Sequence, residues 1–307
     1  MCVSNKDIAF AVGITPHAAK DRVDKLISNE VIGGFVVLIN PAVFGYVKEC
    51  VLRVKNIDKT IKEQDLFNKI SLLGDILFDG KQLEGAAAFF VLFVRTGAED
   101  KMEKLSDILK PAELESIFGR CRPVNVKIHL SDLEIMKCLM SDPRMRVKDI
   151  AKETSLSTKT VARRLEKMRE NHIFQFTILT DPSSMQLTGF IKLILLINVH
   201  PYYHQNIVQR ICNEMQEYLL HPLDDSVHYP INYSFSYQNT HVFASFGCAN
   251  ISAVNMILRR LESYEGVNRV EPITFASEVR IRLEWIKSEI DRRIASEKYP
   301  SSQLYIF

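Results

Sequence analysis

Thirteen residues, Ser157 to Arg169, concentrate the side chains best suited to a chemical task. Five are basic (Lys159, Arg163, Arg164, Lys167 and Arg169) against one acid, Glu166, and the short hydroxyls Ser157, Thr158 and Thr160 open the run. Cations neutralise phosphates, and short polar groups at the leading end of a helix reach base edges in a major groove. The same composition also suits a solvated helix face, and many winged helices mediate only protein contacts. The charge excess favours duplex DNA, and Arg146, Lys148 and Lys152 just upstream add to it. An earlier stretch, Thr15 to Ile27, has the same layout but sets Lys20, Arg22 and Lys25 against Asp21 and Asp24. There Thr15, His17, Lys20 and Arg22 make a weaker DNA-binding set. Arg22 and Arg164 share one position despite different surroundings, as structural arginines would.

The remaining reactive residues point to no catalysis. Five of eight histidines lie between 200 and 241 (His200, His204, His221, His228 and His241). His200 and His204 have the spacing of two metal ligands on a helix, yet Pro201 places the first at a strand–helix junction. No carboxylate or cysteine stands at a fixed distance from them, so no metal site is expected. Tyr202, Tyr203, Tyr229, Tyr233 and Tyr237 read as sheet-face and loop packing. Asp224-Asp225 after Pro222 reads as turn chemistry. The chain has no Gly-rich phosphate loop, no Gly-x-Ser-x-Gly and no purposeful carboxylate pair. Neither a catalytic residue nor a cofactor is expected, and the chain reads as a non-enzyme.

The elements that must position these residues are written twice. Lys6-Asp7-Ile8-Ala9 recurs as Lys148-Asp149-Ile150-Ala151, an offset of 142. At that offset Ile14-Thr15 meets Leu156-Ser157, Arg22 meets Arg164 and Asn29 meets Asn171; with a slip, Asn40-Pro41 meets Asp181-Pro182. Each copy opens with helices. In the second, Ser131 reads as an N-cap with Glu134 completing a capping box, ahead of apolar Leu133, Ile135, Met136, Leu139 and Met140. Lys148–Thr154 gives a short second helix and Ser157–Arg169 a third, with Val161, Leu165 and Met168 inward. The β-rich run Ile173–Leu179 completes a winged helix-turn-helix with a small hairpin. In the first copy only five residues precede Lys6, so a counterpart of the Ser131–Met140 helix has no sequence to make it.

After each helical part the pattern is β-α-β-β-α-β, the ferredoxin-like motif. In the first copy this means strands Tyr46–Val54, Asp75–Leu83, Ala86–Val94 and Ser116–Arg122, with helices Ile61–Leu73 and Gly97–Leu109. In the second it means strands Gly189–Val199, Val227–Ser236, His241–Cys248 and Val267–Phe275, with helices Tyr203–Tyr218 and Asn250–Tyr264. Such a sheet leaves one face free to seek a partner. Residues 278–307 add a helix through about Ser296, striped by Val279, Leu283, Ile286, Ile290 and Ile294 and carrying Trp285, that reads as a packing seam. The expected domains are 1–41 (truncated winged helix-turn-helix), 42–127 (αβ sandwich), 128–184 (winged helix-turn-helix), 185–277 (αβ sandwich) and 278–307 (helical extension). The class is α+β.

Composition fits that class. Apolar residues are 47% and charged residues 25% of 307, with a net charge of +2, so a disordered or collagen-like chain is excluded. The longest near-apolar run, Phe190 to Val199, is about half of what a membrane span requires, and no signal peptide is visible. Six dispersed cysteines fit a reduced cytoplasmic setting.

These motifs resemble the leucine-responsive/asparagine-synthesis regulator family (Lrp/AsnC), in a tandem, archaeal-like form. The resemblance rests on Leu130-Ser131-Asp132-x-x-Ile135, Asp142-Pro143-Arg144, Ile150-Ala151, Leu156-Ser157, Val161, Arg164-Leu165 and Ile173. In the first copy it rests on Ile8-Ala9, Gly13-Ile14-Thr15, Arg22-Val23, Val31-Ile32-Gly33 and Asn40-Pro41-x-x-x-Gly45. It implies a sequence-specific transcriptional regulator that binds double-stranded DNA. It also implies sandwich domains that pair through their sheets, as a homo-oligomer or as a pseudo-dimer within one chain. A small-molecule effector is implied beside Gly85, where the second copy has Gln238-Asn239-Thr240 instead of the family's glycine. Siroheme decarboxylases look like the same family and give an enzymatic alternative in which His228 or His241 would serve. Their His-Asn-Tyr-x-Arg run is here His228-Tyr229-Pro230-Ile231-Asn232-Tyr233, without the arginine. A protein-binding adaptor with idle helical heads is the third reading.

Overall fold

The computed structural model describes residues 5–58, 60–82, 87–180, 191–220, 235–237, 240–273 and 280–298. Gly85, His221, His228, Tyr229, Tyr233, Gln238 and Asn239 lie outside them. The chain forms two compact units, and both are assembled from separate parts of the sequence. The first takes residues 1–43, 124–188 and 284–307; the second takes 44–123 and 189–283.

In the first unit, helices α1 (Asn5–Val12) and α2 (Pro16–Ser28) lead into strand β1 (Ile32–Ile39). The second helical part contributes α5 (Leu130–Ser141), α6 (Val147–Glu153), α7 (Thr158–Glu170) and strand β6 (Phe174–Thr180). Among the described residues neither β1 nor β6 pairs with a strand of its own copy. Instead β1 and β6 pair antiparallel with each other, from Ile39 opposite Phe174 to Ile32 opposite Thr180. The register has a local two-fold character: the offset of 142 turns the pair Phe35–Ile178 into Val36–Thr177. Each copy offers one strand, and a lone strand leaves its backbone groups unpaired. Pairing the two copies satisfies both. Asn40, buried, adds to the join: its Nδ2 donates to the His172 carbonyl at 3.3 Å and its backbone N–H to the Ile173 carbonyl at 2.8 Å.

The cap of α5 also differs from expectation. The helix starts at Leu130, and the His129 backbone N–H donates to Asp132 Oδ2 at 2.9 Å, so Asp132 closes the turn that Glu134 was expected to close. Glu134 pairs with Lys298 at 2.7 Å, on the terminal helix α10 (Glu284–Lys298). That helix starts later than the apolar stripe suggests. It lies against α5, with Ile286 and Ile290 buried and Lys137 bonded to Asp291 at 2.6 Å.

The second unit contains two sheets. In the first, β2 (Lys48–Lys55), β3 (Asp75–Lys81), β4 (Ala88–Val94) and β5 (Glu113–Arg120) lie in the order β3-β4-β2-β5, with α3 (Glu63–Ile70) and α4 (Ala98–Leu109) as crossovers. In the second, β7 (Ile191–Val199), β8 (Phe235–Tyr237), β9 (His241–Cys248) and β10 (Val267–Ile273) take the order β10-β7-β9-β8, with α8 (His204–Glu214) and α9 (Ile251–Glu262). Both orders place the first and third strands at the centre, the ferredoxin-like arrangement. A short strand β11 (Arg280–Ile281), within the region expected to be helical, extends the first sheet beside β3.

Alternation along the strands explains why these sheets pair. Cys50, Leu52, Val54, Phe90, Leu92 and Val94 point into a core with Leu66, Ile70 and Leu105 from the helices. Their neighbours Val51, Phe89 and Val91 point the other way and pack with Ile194, Phe243 and Ile273 of the second sheet. Phe89 and Phe243 stack with ring centroids 5.7 Å apart. Arg53 crosses between the sheets to Glu271 at 2.8 Å while its Nε donates to Gln82. The free face of each sheet is therefore covered by the other within one chain.

Candidate nucleic-acid interface

Helix α7 is fixed at both ends by its own sequence. Ser157 takes an extended conformation and its Oγ accepts from the Thr160 N–H at 3.1 Å, satisfying a donor the helix cannot satisfy itself. At the far end Asn171 bonds the Lys167 carbonyl through its side chain at 2.8 Å, and His172 leaves in the left-handed region (φ +51°). The turn from α6 is equally specific. Ser155 is left-handed (φ +54°), and the Leu156 N–H donates to the Ala151 carbonyl at 3.0 Å. Val161, Leu165 and Met168 are buried at i, i+4 and i+7, as are Ile150 of α6 and Leu133, Ile135, Met136 and Leu139 of α5, and the three helices touch one another.

This burial decides which polar residues remain outside. Lys159, Arg163 and Lys167 stand four residues apart, exposed, and carry no acidic partner among the described residues. A four-residue step drifts only about 40° around a helix, so the three make one stripe. Thr158 is exposed in the first turn, where backbone N–H groups and the helix dipole favour an anion. Lys148 and Lys152, one turn apart on α6, are likewise exposed and without an acidic partner among the described residues.

Other expected residues serve the scaffold. Ser157 is the cap, and half-buried Thr160 lies 2.9 Å from its hydroxyl. Arg164 turns inward: its Nη1 meets Asp132 Oδ1 at 2.8 Å, with the Asp132 side chain 8% exposed. It ties α7 to the first turn of α5 and is occupied there, so it is a positioning residue rather than one of the outward cations. Arg169 pairs with Glu166, and Arg146 with Asp149 at 2.7 Å.

The first head has the same backbone and a different surface. Thr15 caps α2 through the Ala18 N–H at 3.2 Å, Asn29 closes its C-terminus, and Gly13 and Glu30 are left-handed where Ser155 and His172 are. The stripe, however, reads His17, Asp21 and Lys25. His17 lies 2.9 Å from Asp21, and Lys20 pairs with Asp24 at 2.8 Å, so carboxylates stand among the cations of this helix. Arg22, unlike its counterpart Arg164, is exposed and has no carboxylate partner among the described residues.

Two contacts escaped the sequence reading. The Arg144 guanidinium lies 4.7 Å from the centre of the Phe35 ring, joining the second head to β1, and Asn40 joins β1 to the end of α7. Asn40-Pro41 was visible as punctuation, but its role depends on pairing between the copies. His200 Nδ1 accepts from the Tyr202 N–H, and His204 is buried at the start of α8. His241 is half-buried, its Nε2 2.9 Å from Asn198 Nδ2 and its Nδ1 3.0 Å from the Thr240 hydroxyl. Burial holds its pKa below the ordinary histidine value, so it stays neutral around pH 7. Among the described residues no three potential metal ligands cluster, and no helix is long and apolar enough to cross a membrane.

Comparison with known proteins agrees with this geometry. Residues 131–169 match the AsnC-type helix-turn-helix domain. No curated protein matches the chain. Among solved structures, the siroheme decarboxylase NirDL is similar at 11% identity over 96% of this chain and 94% of that one, with a TM-score of 0.50. Its co-complex with an iron-uroporphyrin III analogue gives 11% identity over 95% and 92%, with a TM-score of 0.49. AsnC of E. coli is 16% identical over 50% of this chain and 95% of its own, with a TM-score of 0.36. The second head is thus a helix-turn-helix domain of AsnC type. The AsnC-type match covers that head alone, within a chain of α+β fold with ferredoxin-like sheets.

Proposed function

We propose that this chain is a transcriptional regulator that holds duplex DNA through the second head alone. Thr158, Lys159, Arg163 and Lys167 are the contacting residues, with Lys148 and Lys152 beside them. Arg164 acts by holding α7 in place. The reading rests on the Lys159–Arg163–Lys167 stripe, exposed and unneutralised on a helix whose capped end is accessible. The mutual cover of the two sheets supports a pseudo-dimer within one chain, which presents two unequal heads. An effector that tunes DNA affinity belongs to this reading by family resemblance, and Gly85, the expected place, lies outside the described residues.

The test is duplex binding by gel-shift or anisotropy across a salt series. Lys159→Ala with Arg163→Ala abolishes retention at physiological salt and lowers the log–log salt slope by about 2, one per lost phosphate contact. Lys20→Ala leaves both unchanged. Wild-type affinity in the double variant would refute the assignment. A new absorbance band on mixing the chain with siroheme would favour the enzymatic reading instead.

A further inference from the structure

The two heads belong to one compact unit, and the pairing of β1 with β6 relates them. The offset of 142 turns the pair Gly34–Leu179 into Val37–Phe176 and Phe35–Ile178 into Val36–Thr177, so a local two-fold axis runs through the middle of the ribbon. The same offset carries α2 onto α7, and each helix reaches its strand through three residues that include one left-handed position, Glu30 or His172. Helix α2 therefore stands to one side of the ribbon as α7 stands to the other. Paired helix-turn-helix heads with such an axis read inverted half-sites about one helical turn apart, because a duplex has two-fold axes of its own. Here the frame keeps the symmetry and the charge does not. Position for position, Lys159, Arg163 and Lys167 become His17, Asp21 and Lys25. The excess of positive charge falls from +4 over residues 157–169 to +1 over residues 15–27. The Asp21 side chain is 52% exposed, and a carboxylate at the centre of the stripe repels the phosphate that Arg163 would attract. Nor does the ribbon compensate, since Ile32–Ile39 and Phe174–Thr180 contain no lysine or arginine.

Given duplex binding by the second head, on which this rests, we propose that one chain recognises an asymmetric duplex. A single half-site lies under α7, and the sequence on the far side of the two-fold axis is left unread beneath α2. Phosphate contacts fix the register in which a helix meets base edges. Helix α7 has three outward cations for that purpose, and α2 sets a carboxylate between a histidine and a lysine. One chain therefore occupies the site, and an inverted second copy of the half-site adds no contact.

The test is selection of duplexes from a random library by the whole chain at physiological salt, followed by anisotropy and sedimentation on the selected duplex. One motif without an inverted copy is expected, with one chain on each duplex. Adding an inverted copy at spacings of about 9 to 12 base pairs, which bracket one helical turn, raises affinity only about twofold, the statistical gain of two equivalent orientations. A chain reading both halves would gain on the order of a hundredfold or more at one spacing. Truncating the duplex beyond the axis changes wild-type affinity by less than about threefold, but costs His17→Lys with Asp21→Arg roughly tenfold, because the rebuilt stripe then loses its phosphates. An enriched inverted repeat, a hundredfold gain at any spacing, or two chains held together on one repeat overturns the asymmetric site while leaving the second head a DNA-binding head. Failure to enrich any motif, with retention indifferent to Lys159→Ala with Arg163→Ala, removes duplex binding itself and the asymmetric site with it.

Discussion

The two helical heads share a backbone and almost nothing that a partner would touch. Capping hydroxyls at Thr15 and Ser157, asparagines at 29 and 171, and left-handed residues at 13, 30, 155 and 172 coincide at one offset. Outward positions diverge: Lys159, Arg163 and Lys152 in the second head correspond to His17, Asp21 and Phe10 in the first. Backbone geometry is set by caps and turns, which tolerate few residue types. A solvated position tolerates nearly any, so recognition can change while the frame stays. The lesson is that one helix-turn-helix frame can present two quite different surfaces.

Removing the tie that only the second head has should produce the largest difference between the two. Asp132→Ala leaves Arg164 partly buried without its carboxylate, and a loss of about 2–3 kcal/mol is expected after allowing for the arginine's partial exposure. Arg22→Ala should stay within about 0.5 kcal/mol, since Arg22 is exposed. Denaturant unfolding of both variants checks the pair; equal losses would break the contrast. A sharper question is whether the outward side chains alone distinguish the heads. His17→Lys with Asp21→Arg rebuilds the stripe in the first head. If the frame is equivalent, the salt slope of duplex binding steepens by about 2. The smallest effect probes what the heads have in common. Ser157→Ala and Thr15→Ala should each cost about 1 kcal/mol of stability, and markedly unequal losses would show that the shared cap geometry is not equally used.

Much of this was legible beforehand. The apolar spacing of Val161, Leu165 and Met168 marked α7, and the repeated β-α-β-β-α-β pattern marked both sheets, because periodicity is a local property of the chain. The cap of α5 was misplaced by two residues: Ser131 and Asp132 both suit a first turn, and only the His129 N–H to Asp132 bond separates them. The pairing of β1 with β6 was hidden for a different reason. A strand sequence states that it needs a neighbour but not which one, and β1 found β6 some 140 residues away. The choice between a surface and a structural role for Arg164 shared that weakness, since its partner Asp132 sits on another helix.

The amino-acid order by itself determined the helices, the strands and the excess of positive charge near residue 160, for these depend on neighbours a few positions apart. The tertiary structure alone decided that the two copies complete each other. It joined β1 to β6, laid the sheets face to face across Phe89 and Phe243, and turned Arg164 inward while leaving Lys159, Arg163 and Lys167 outside. Those outcomes turn on which distant surfaces exclude water together, and no local window of sequence contains both partners.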